Sequence, residues 1–268
     1  MSKKGMLVAA VVCAGLVACA NGRAEAQSSC TGPGWITIGP NGTVVACRRP
    51  GYDDYFDKGF GNYAAGRYAL AIDNFSRAIE LWPDYAAAYQ LRCAAREALG
   101  QDPDAVLADC NKAVKITPTN LDGLLTRAHA ETSVGHYLEA IADIENVLRV
   151  DPYNALAQVN KCRAFAYWGQ DVTSALMLCS NFAMMHNGSV EALESLAVVH
   201  YRMKSYADAV ADANEALRIE PKGASALYLR GLAKLRQGDP AAAKLDFAAS
   251  QAFDTRIAEK FAIHGLTP

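Results

Sequence analysis

The chain has 268 residues, of which 51% are hydrophobic and 20% are charged, and its formal net charge is −2. This composition supplies ample apolar material for a core, which disfavours a disordered chain, and no basic excess points to nucleic-acid binding. The length suggests about two domains at roughly 150 residues each, but an internal repeat would override that estimate.

The first residues have the pattern of a secretory signal. Lys3 and Lys4 precede an apolar run over residues 6–20, which is short for a bilayer span and typical of a signal peptide. Ala24-Glu25-Ala26 predicts cleavage before Gln27, which gives a signal peptide over residues 1–26 and a soluble periplasmic protein.

A second processing site competes with the first. Leu16-Val17-Ala18-Cys19 resembles the lipobox of bacterial lipoproteins, which would end the signal at residue 18 and leave Cys19 acylated. In that case the protein is anchored by lipid to the outer membrane and faces the periplasm. The well-formed cleavage region over residues 21–26 favours the soluble form.

Residues 27–51 have the pattern of a small β-hairpin. The predicted strands, 35–38 and 43–46, flank a turn at Gly39-Pro40-Asn41-Gly42. Cys30 and Cys47 would clamp the base of this hairpin. Because a two-stranded hairpin is marginally stable alone, Trp35 is expected to pack against the first helices that follow.

From residue 52 the chain repeats one pattern every 34 or 35 residues: a helical stretch, a turn that usually contains Gly, and a second helical stretch that ends near Pro. Apolar residues recur at three and four positions, so each helix has a stripe to bury against its neighbours. The six predicted units are 52–85, 86–120, 121–154, 155–189, 190–223 and 224–257. Residues 258–268 form a cap and tail.

The repeated residues resemble the tetratricopeptide repeat. The family's small residue in the first helix (helix A) corresponds to Gly59, Cys93, Ala128, Cys162, Ala197 and Gly231. The alanine of its second helix (helix B) corresponds to Ala71, Ala105, Ala140, Ala175, Ala209 and Ala243. The resemblance implies an all-α fold, a right-handed α-solenoid of about six helix pairs. A short helix over residues 256–263 would cap its last apolar face.

The cysteines outside the signal fall into three pairs with one separation, 17 positions: Cys30 with Cys47, Cys93 with Cys110, and Cys162 with Cys179. The midpoint of each pair lies at a predicted turn, so the two members lie at similar heights on facing elements, as a disulfide requires. Export would supply an oxidising compartment. The alternative is that all six are buried free thiols.

The familiar signatures of catalysis are missing from the sequence. It contains no phosphate-binding loop, no nucleophile elbow, no H-E-x-x-H zinc motif and no C-x-x-C redox motif. The five histidines are scattered, and none pairs with another at the spacing of two metal ligands on one helix. We therefore expect no enzyme activity, no cofactor and no metal.

The resemblance instead implies a binding surface on the concave face, which helix A lines in this family. The predicted partner-binding residues are the aromatic anchors and arginines Phe56, Phe60, Arg163, Tyr167, Tyr201, Arg202 and Tyr228. The carboxylate clamp of some family members is not matched, because Phe56 and Phe60 stand at its first two positions. Replacing Tyr201 and Arg202 is expected to leave the fold nearly unchanged.

The sequence thus predicts a non-catalytic periplasmic adaptor for a partner protein or an extended peptide, in envelope, peptidoglycan or secretion assembly. No nucleic acid is expected, and membrane contact only through a lipid on Cys19. The alternative is an enzyme or a carbohydrate-binding protein whose site in the groove has no local motif.

Overall fold

The computed structural model describes the backbone of Trp35–Ile38 and Val44–Cys47, and both backbone and side chains of residues 51–186 and 188–268. The chain forms two units, residues 1–50 and residues 51–268. The predicted processing sites, the acylation of Cys19 and the Cys30–Cys47 bridge lie outside the described residues.

In the first unit, strand β1 (Trp35–Ile38) pairs with strand β2 (Val44–Cys47) in antiparallel register. Trp35 lies opposite Cys47, and Ile38 lies opposite Val44. The second strand therefore begins one residue later than the sequence pattern suggests. The expected packing of the Trp35 side chain lies outside what the structure describes.

The described part of the second unit consists of helices joined by short turns. In chain order they are α1 (Tyr52–Ala64), α2 (Tyr68–Leu81), α3 (Ala86–Leu99), α4 (Pro103–Ile116), α5 (Leu121–Val134), α6 (Tyr137–Val150), α7 (Ala155–Trp168), α8 (Val172–Met185), α9 (Val190–Arg202), α10 (Tyr206–Ile219), α11 (Ala224–Arg236), α12 (Pro240–Phe253) and α13 (Ile257–Ile263). Odd-numbered helices up to α11 are the A helices, and the even-numbered helices are the B helices.

Small residues allow the two helices of each pair to approach closely. In the first pair, a Cβ atom on Gly59 would lie 2.6 Å from the ring of Phe75, so any larger residue would force the ring to move. In the sixth pair, Gly231 and Phe247 repeat this arrangement at 2.7 Å.

The succession of helix pairs confirms the predicted all-α repeat solenoid.

Glycine also closes most of the turns between helices A and B. Gly66 and Gly135 have φ angles of 69° and 88°, in the left-handed region that glycine adopts without strain. In the fifth repeat the same place is taken by Lys204, whose φ is 62°. The fold therefore stores backbone strain in one turn that the other repeats avoid.

Both disulfides predicted within the solenoid are present. Cys93 pairs with Cys110 and Cys162 with Cys179, with Cα atoms 5.4 Å and 5.0 Å apart. One bridge joins helices A and B of the second repeat, and the other joins those of the fourth.

Among the described helices, none has the combination of length and apolarity that crossing a membrane requires.

Candidate binding site on the inner face

The A helices form the inner face of the solenoid. Each A helix lies close to the A helix of the next repeat, from α1 through α11, whereas the backbones of successive B helices in the described residues are further apart. Helices that are closer together lie on the inside of a curved stack. The surface formed by the A helices is called the inner face below.

A cleft of about 1040 Å³ lies on this face. Helices α3, α5 and α7 supply one wall, with polar side chains that include Gln90, His129 and Arg163. Residues 256–268, called the C-terminal segment below, also line the cleft, through Arg256 and Lys260 among others. The candidate site is therefore built from the middle repeats and the end of the chain.

A carboxylate is held in the wall of the cleft. The Nδ1 atom of His129 lies 2.9 Å from Glu97 Oε1, and the hydroxyl of Ser133 donates to the same oxygen at 2.5 Å. Burial by itself raises the pKa of Glu97, but the hydrogen bonds from His129 and Ser133 outweigh it and hold that pKa below its usual value. Glu97 is thus ionised, and it links the second repeat to the third.

The next repeat adds a cation. Arg163 donates a hydrogen bond to the side chain of Asn160 and interacts electrostatically with Glu97 and Glu194. Burial raises the pKa of Glu194 to about 7, and the nearby charges of Glu220 and Glu191 add to this effect. The positive charge of Arg163 lowers the pKa of Glu194 and partly offsets this increase. This guanidinium therefore balances two carboxylates on the inner face, Glu97 and Glu194.

The C-terminal segment covers the inner face of the last three repeats. Helix α13 contacts α11 and α12, as expected of a cap, and it also contacts α5. Its Phe261 is 3% exposed, with its ring centroid 5.0 Å from that of Tyr228 and 6.0 Å from that of Tyr167. Two of the predicted partner anchors are therefore in contact with the chain's own end.

His264 continues these contacts beyond the helix. Its ring stacks on Tyr167 with centroids 4.1 Å apart, and its Nδ1 atom forms a hydrogen bond with the hydroxyl of Tyr137 at 2.7 Å. Burial lowers the pKa of His264 to about 4, and the positive charge of Arg202 contributes in the same direction. The imidazole is thus neutral at pH 7, with one ring nitrogen that donates a hydrogen bond and one that accepts.

Arg202 binds three backbone carbonyls. Its guanidinium donates to the carbonyl oxygens of Ala166 at 2.9 Å, Tyr167 at 2.6 Å and His264 at 2.8 Å. These contacts argue against the expectation that Tyr201 and Arg202 can be replaced with the fold nearly unchanged, because loss of Arg202 would leave these partly buried acceptors without their donor.

Arg256 fixes the other end of the segment. Its Nη1 atom donates to the carbonyl of Gly100 at 2.7 Å, across 156 positions of sequence. A Cβ atom on Gly100 would lie 1.5 Å from this guanidinium, so the glycine provides both the turn, with φ of 67°, and the space. The C-terminal segment thus reaches back to the second repeat.

The remaining predicted residues differ in their surroundings. Phe56 packs against Phe75 and Tyr85, with ring centroids 5.8 Å and 4.9 Å away, while Phe60 is 54% exposed. Tyr201 is half-buried beside Tyr206, with a ring centroid distance of 5.7 Å. The structure therefore does not bring the predicted residues together into one open strip.

Sequence reasoning missed the central role of Glu97 and of the C-terminal segment. Glu97 stands at a family groove position, but its pairing with His129 is visible only when adjacent repeats stack. The segment's apolar residues Ile257 and Phe261 show a helical spacing, which predicted a cap. Nothing in that spacing predicts contact with the second and third repeats.

Comparison with known proteins agrees with this architecture. Residues 62–120 and 194–254 match the family model for the tetratricopeptide repeat. Sperm-associated antigen 1 of Rattus norvegicus is 36% identical over 104 residues, which are 38% of this chain and 11% of that protein. DnaJ homolog subfamily C member 7 of Homo sapiens is 25% identical over 195 residues, which are 67% of this chain and 38% of that protein. The chain spans well under half the length of these relatives.

A solved structure shows the same fold over most of the chain. The crystal structure of a tetratricopeptide repeat protein from Parabacteroides merdae has a TM-score of 0.67 and 18% sequence identity, and the match covers 80% of this chain and 84% of that one. At this identity the likeness shows the fold alone. The family-model matches and the repeated helix pairs, together with this shared fold, support a tetratricopeptide repeat protein. Proteins of this family generally mediate protein–protein interactions and are generally non-catalytic.

Proposed function

We propose that this protein is a non-catalytic adaptor that binds an extended segment of a partner protein in the cleft between α3, α5, α7 and the C-terminal segment. The observation that carries the proposal is the continuity of the cleft across several repeats. Packed helices lie about 8–10 Å apart, and an extended peptide advances roughly 3.4 Å per residue. Each repeat therefore meets about three residues of such a peptide.

The chemistry of the cleft wall supports a peptide ligand. The Gln90 amide donates to the Thr126 hydroxyl at 3.1 Å, and Asn160 and Arg163 form a second polar pair further along. Amide and hydroxyl groups can both donate to and accept from a peptide backbone. Arg163 adds a guanidinium, which can pair with a carboxylate of the ligand.

The compartment that we propose is the periplasm, with the mature chain beginning at Gln27 or, in the lipid-anchored form, at Cys19. Disulfides persist in oxidising compartments, and the two bridges within the solenoid support export. An adaptor in that place would serve envelope, peptidoglycan or secretion assembly. The intact mass of the processed protein distinguishes the two forms, and a native chain that retains Met1 would contradict both.

Site-specific photo-crosslinking tests the binding face. A crosslinking residue at Leu156, which lines the cleft and is 55% exposed, should yield one discrete partner adduct. The matched control is Leu245 on α12, a B helix, where the side chain is 73% exposed. Arg163→Glu should reduce the adduct from position 156 at least several-fold. Adducts from position 245 alone would place binding on another face.

A further inference from the structure

The C-terminal segment is bound to the inner face in the way that a ligand would be bound. Phe261 lies between Tyr228 and Tyr167, which are supplied by α11 and α7. These two tyrosines and Arg202 belong to the solenoid itself. We call the place that they form the aromatic slot. Aromatic and arginine side chains are the types that most often dominate binding energy at interfaces.

The slot also recognises the end of a helix. The last four carbonyls of a helix have no partner within it, and His264, which follows α13, offers its carbonyl to Arg202 at 2.8 Å. A cation near a helix C-terminus is favourable because of the helix dipole. Arg202 is held in place for this contact by the carbonyls of Ala166 and Tyr167. The donor is therefore positioned by α7 and by the residue's own helix α9, not by the segment.

We propose that the aromatic slot is a binding site for the C-terminal end of a short helix in a partner protein, a helix that carries an aromatic side chain about three residues before its last carbonyl. The chain's own C-terminal segment occupies this site and competes with the partner. The biological meaning of this inference rests on the proposed function, but its test does not require the natural partner.

The competition has a definite physical basis. A helix of seven residues is not stable alone in water, so α13 depends on the slot and on the burial of Ile257, Phe261 and Leu266, each 1–3% exposed. Because the segment is tethered, its effective concentration at the slot is on the order of millimolar. An outside helix binds detectably only when this internal contact is weakened or when its own contacts are better.

A trans-binding experiment tests the proposal in the full chain. The probe is a fluorescein-labelled synthetic peptide with the sequence of residues 254–268, and binding is measured by fluorescence anisotropy. The wild-type chain should bind the probe weakly. Phe261→Ala, which empties the slot, should bind it at least tenfold more tightly, and a probe that itself carries Phe261→Ala should lose this gain.

The matched control is Phe253→Ala. Phe253 ends α12, only a few residues before the segment, and is 51% exposed. This variant should bind the probe no better than wild type. Arg256→Ala, which removes the hydrogen bond to Gly100 and leaves Phe261 in place, should give a smaller gain of a few fold and provides a milder second variant.

Two results would overturn the proposal. In one, Phe261→Ala and Arg256→Ala stay folded and bind the probe no better than wild type. In the other, both variants lose cooperative unfolding at 25 °C, which would make the segment an indispensable part of the core. Failure of the proposed cleft function is a separate result, since it would appear in the crosslinking from position 156 and leave probe binding unchanged.

Discussion

Single arginines tie neighbouring repeats together. Arg127 on α5 makes two hydrogen bonds to Asp143 on α6, at 2.6 Å and 2.7 Å, and a third to Asn111 on α4 at 3.1 Å. Arg230 repeats this pattern with Asp246 and Asn214. Each arginine thus joins its own helix pair to the preceding B helix. Two-point contacts of this kind fix geometry as well as adding energy.

The strained turn at Lys204 provides the first prediction. A left-handed backbone costs an ordinary residue roughly 1–2 kcal/mol, and a glycine at this position would relieve that strain. Part of the stabilisation is lost, because glycine also makes the unfolded chain more flexible. Lys204→Gly should therefore stabilise the protein by about 0.5–1 kcal/mol in chemical denaturation. Gly66→Ala, at a turn with φ of 69° and open space around the glycine, should destabilise it. Equal stability of both variants and wild type would contradict this account.

Glu131 provides a prediction about pH. Burial raises its pKa to about 7, and Asp143 adds to the shift. The folded state therefore keeps a proton that the unfolded state loses, so this residue's contribution to stability falls as pH rises from about 4.5 to about 7. Glu131→Gln should stabilise the protein by about 1–3 kcal/mol at pH 8 and by much less at pH 4.5.

Urea denaturation at both pH values measures this difference. Glu145→Gln is the control, because Glu145 is an exposed carboxylate on α6. A stabilisation by Glu131→Gln that is the same at both pH values would show that the raised pKa is not its cause.

At the scale of helices, one crossing point is packed in different ways along the solenoid. The first and sixth repeats use a glycine against a phenylalanine ring, as in Gly59 and Phe75. The second and fourth repeats place a disulfide between helices A and B. The residues concerned are 16 positions apart in the first case and 17 in the second. The second and fourth repeats thus have a covalent bond near the place where the first and sixth have aromatic packing.

Removal of the Cys162–Cys179 bridge should destabilise the protein. The chain-entropy estimate for a loop of this size is about 3 kcal/mol, and both cysteines are fully buried. The double variant Cys162→Ala, Cys179→Ala should therefore melt at a lower temperature than wild type under non-reducing conditions. Reductant should lower the melting temperature of wild type more than that of the variant. Free thiols at Cys162 and Cys179 in the unreduced protein would show that the bridge does not form in solution.

At the scale of the whole second unit, the C-terminal segment changes how the solenoid is connected. Repeats in a solenoid ordinarily contact only their neighbours, so stability is a sum of local terms. Here α13 contacts α5, and Arg256 reaches Gly100. The last repeat is therefore coupled directly to the second and third.

Hydrogen exchange can measure this coupling. Phe261→Ala should speed amide exchange in α5 as well as in α11, although α5 ends more than 100 residues before the substitution. Exchange in α1 and α2, which the segment does not contact in the described residues, should stay near the wild-type rate. Faster exchange confined to α11 and α12 would show that the segment is only a terminal cap.

Local periodicity made a large part of this architecture predictable. The 34- and 35-residue repeat follows from helix pairs that must bury equivalent stripes, so it appears directly in the spacing of alanines, glycines and prolines. The pairings of Cys93 with Cys110 and of Cys162 with Cys179 were predictable for the same reason, because positions equidistant from a turn face each other. These are short-range relations, and the sequence alone determines them.

Only the tertiary structure decided which part of the inner face is open. Tyr167, Tyr228 and Arg202 stand at positions that face inward, as the family pattern implies, but their partners are Phe261 and His264 from the end of the chain. Contacts between residues so far apart in the sequence leave no periodic pattern in it, because they depend on how several stacked repeats curve. The sequence therefore determined the repeat and its inward-facing residues, and the curvature of the stack decided that the chain's own C-terminal segment covers three of them.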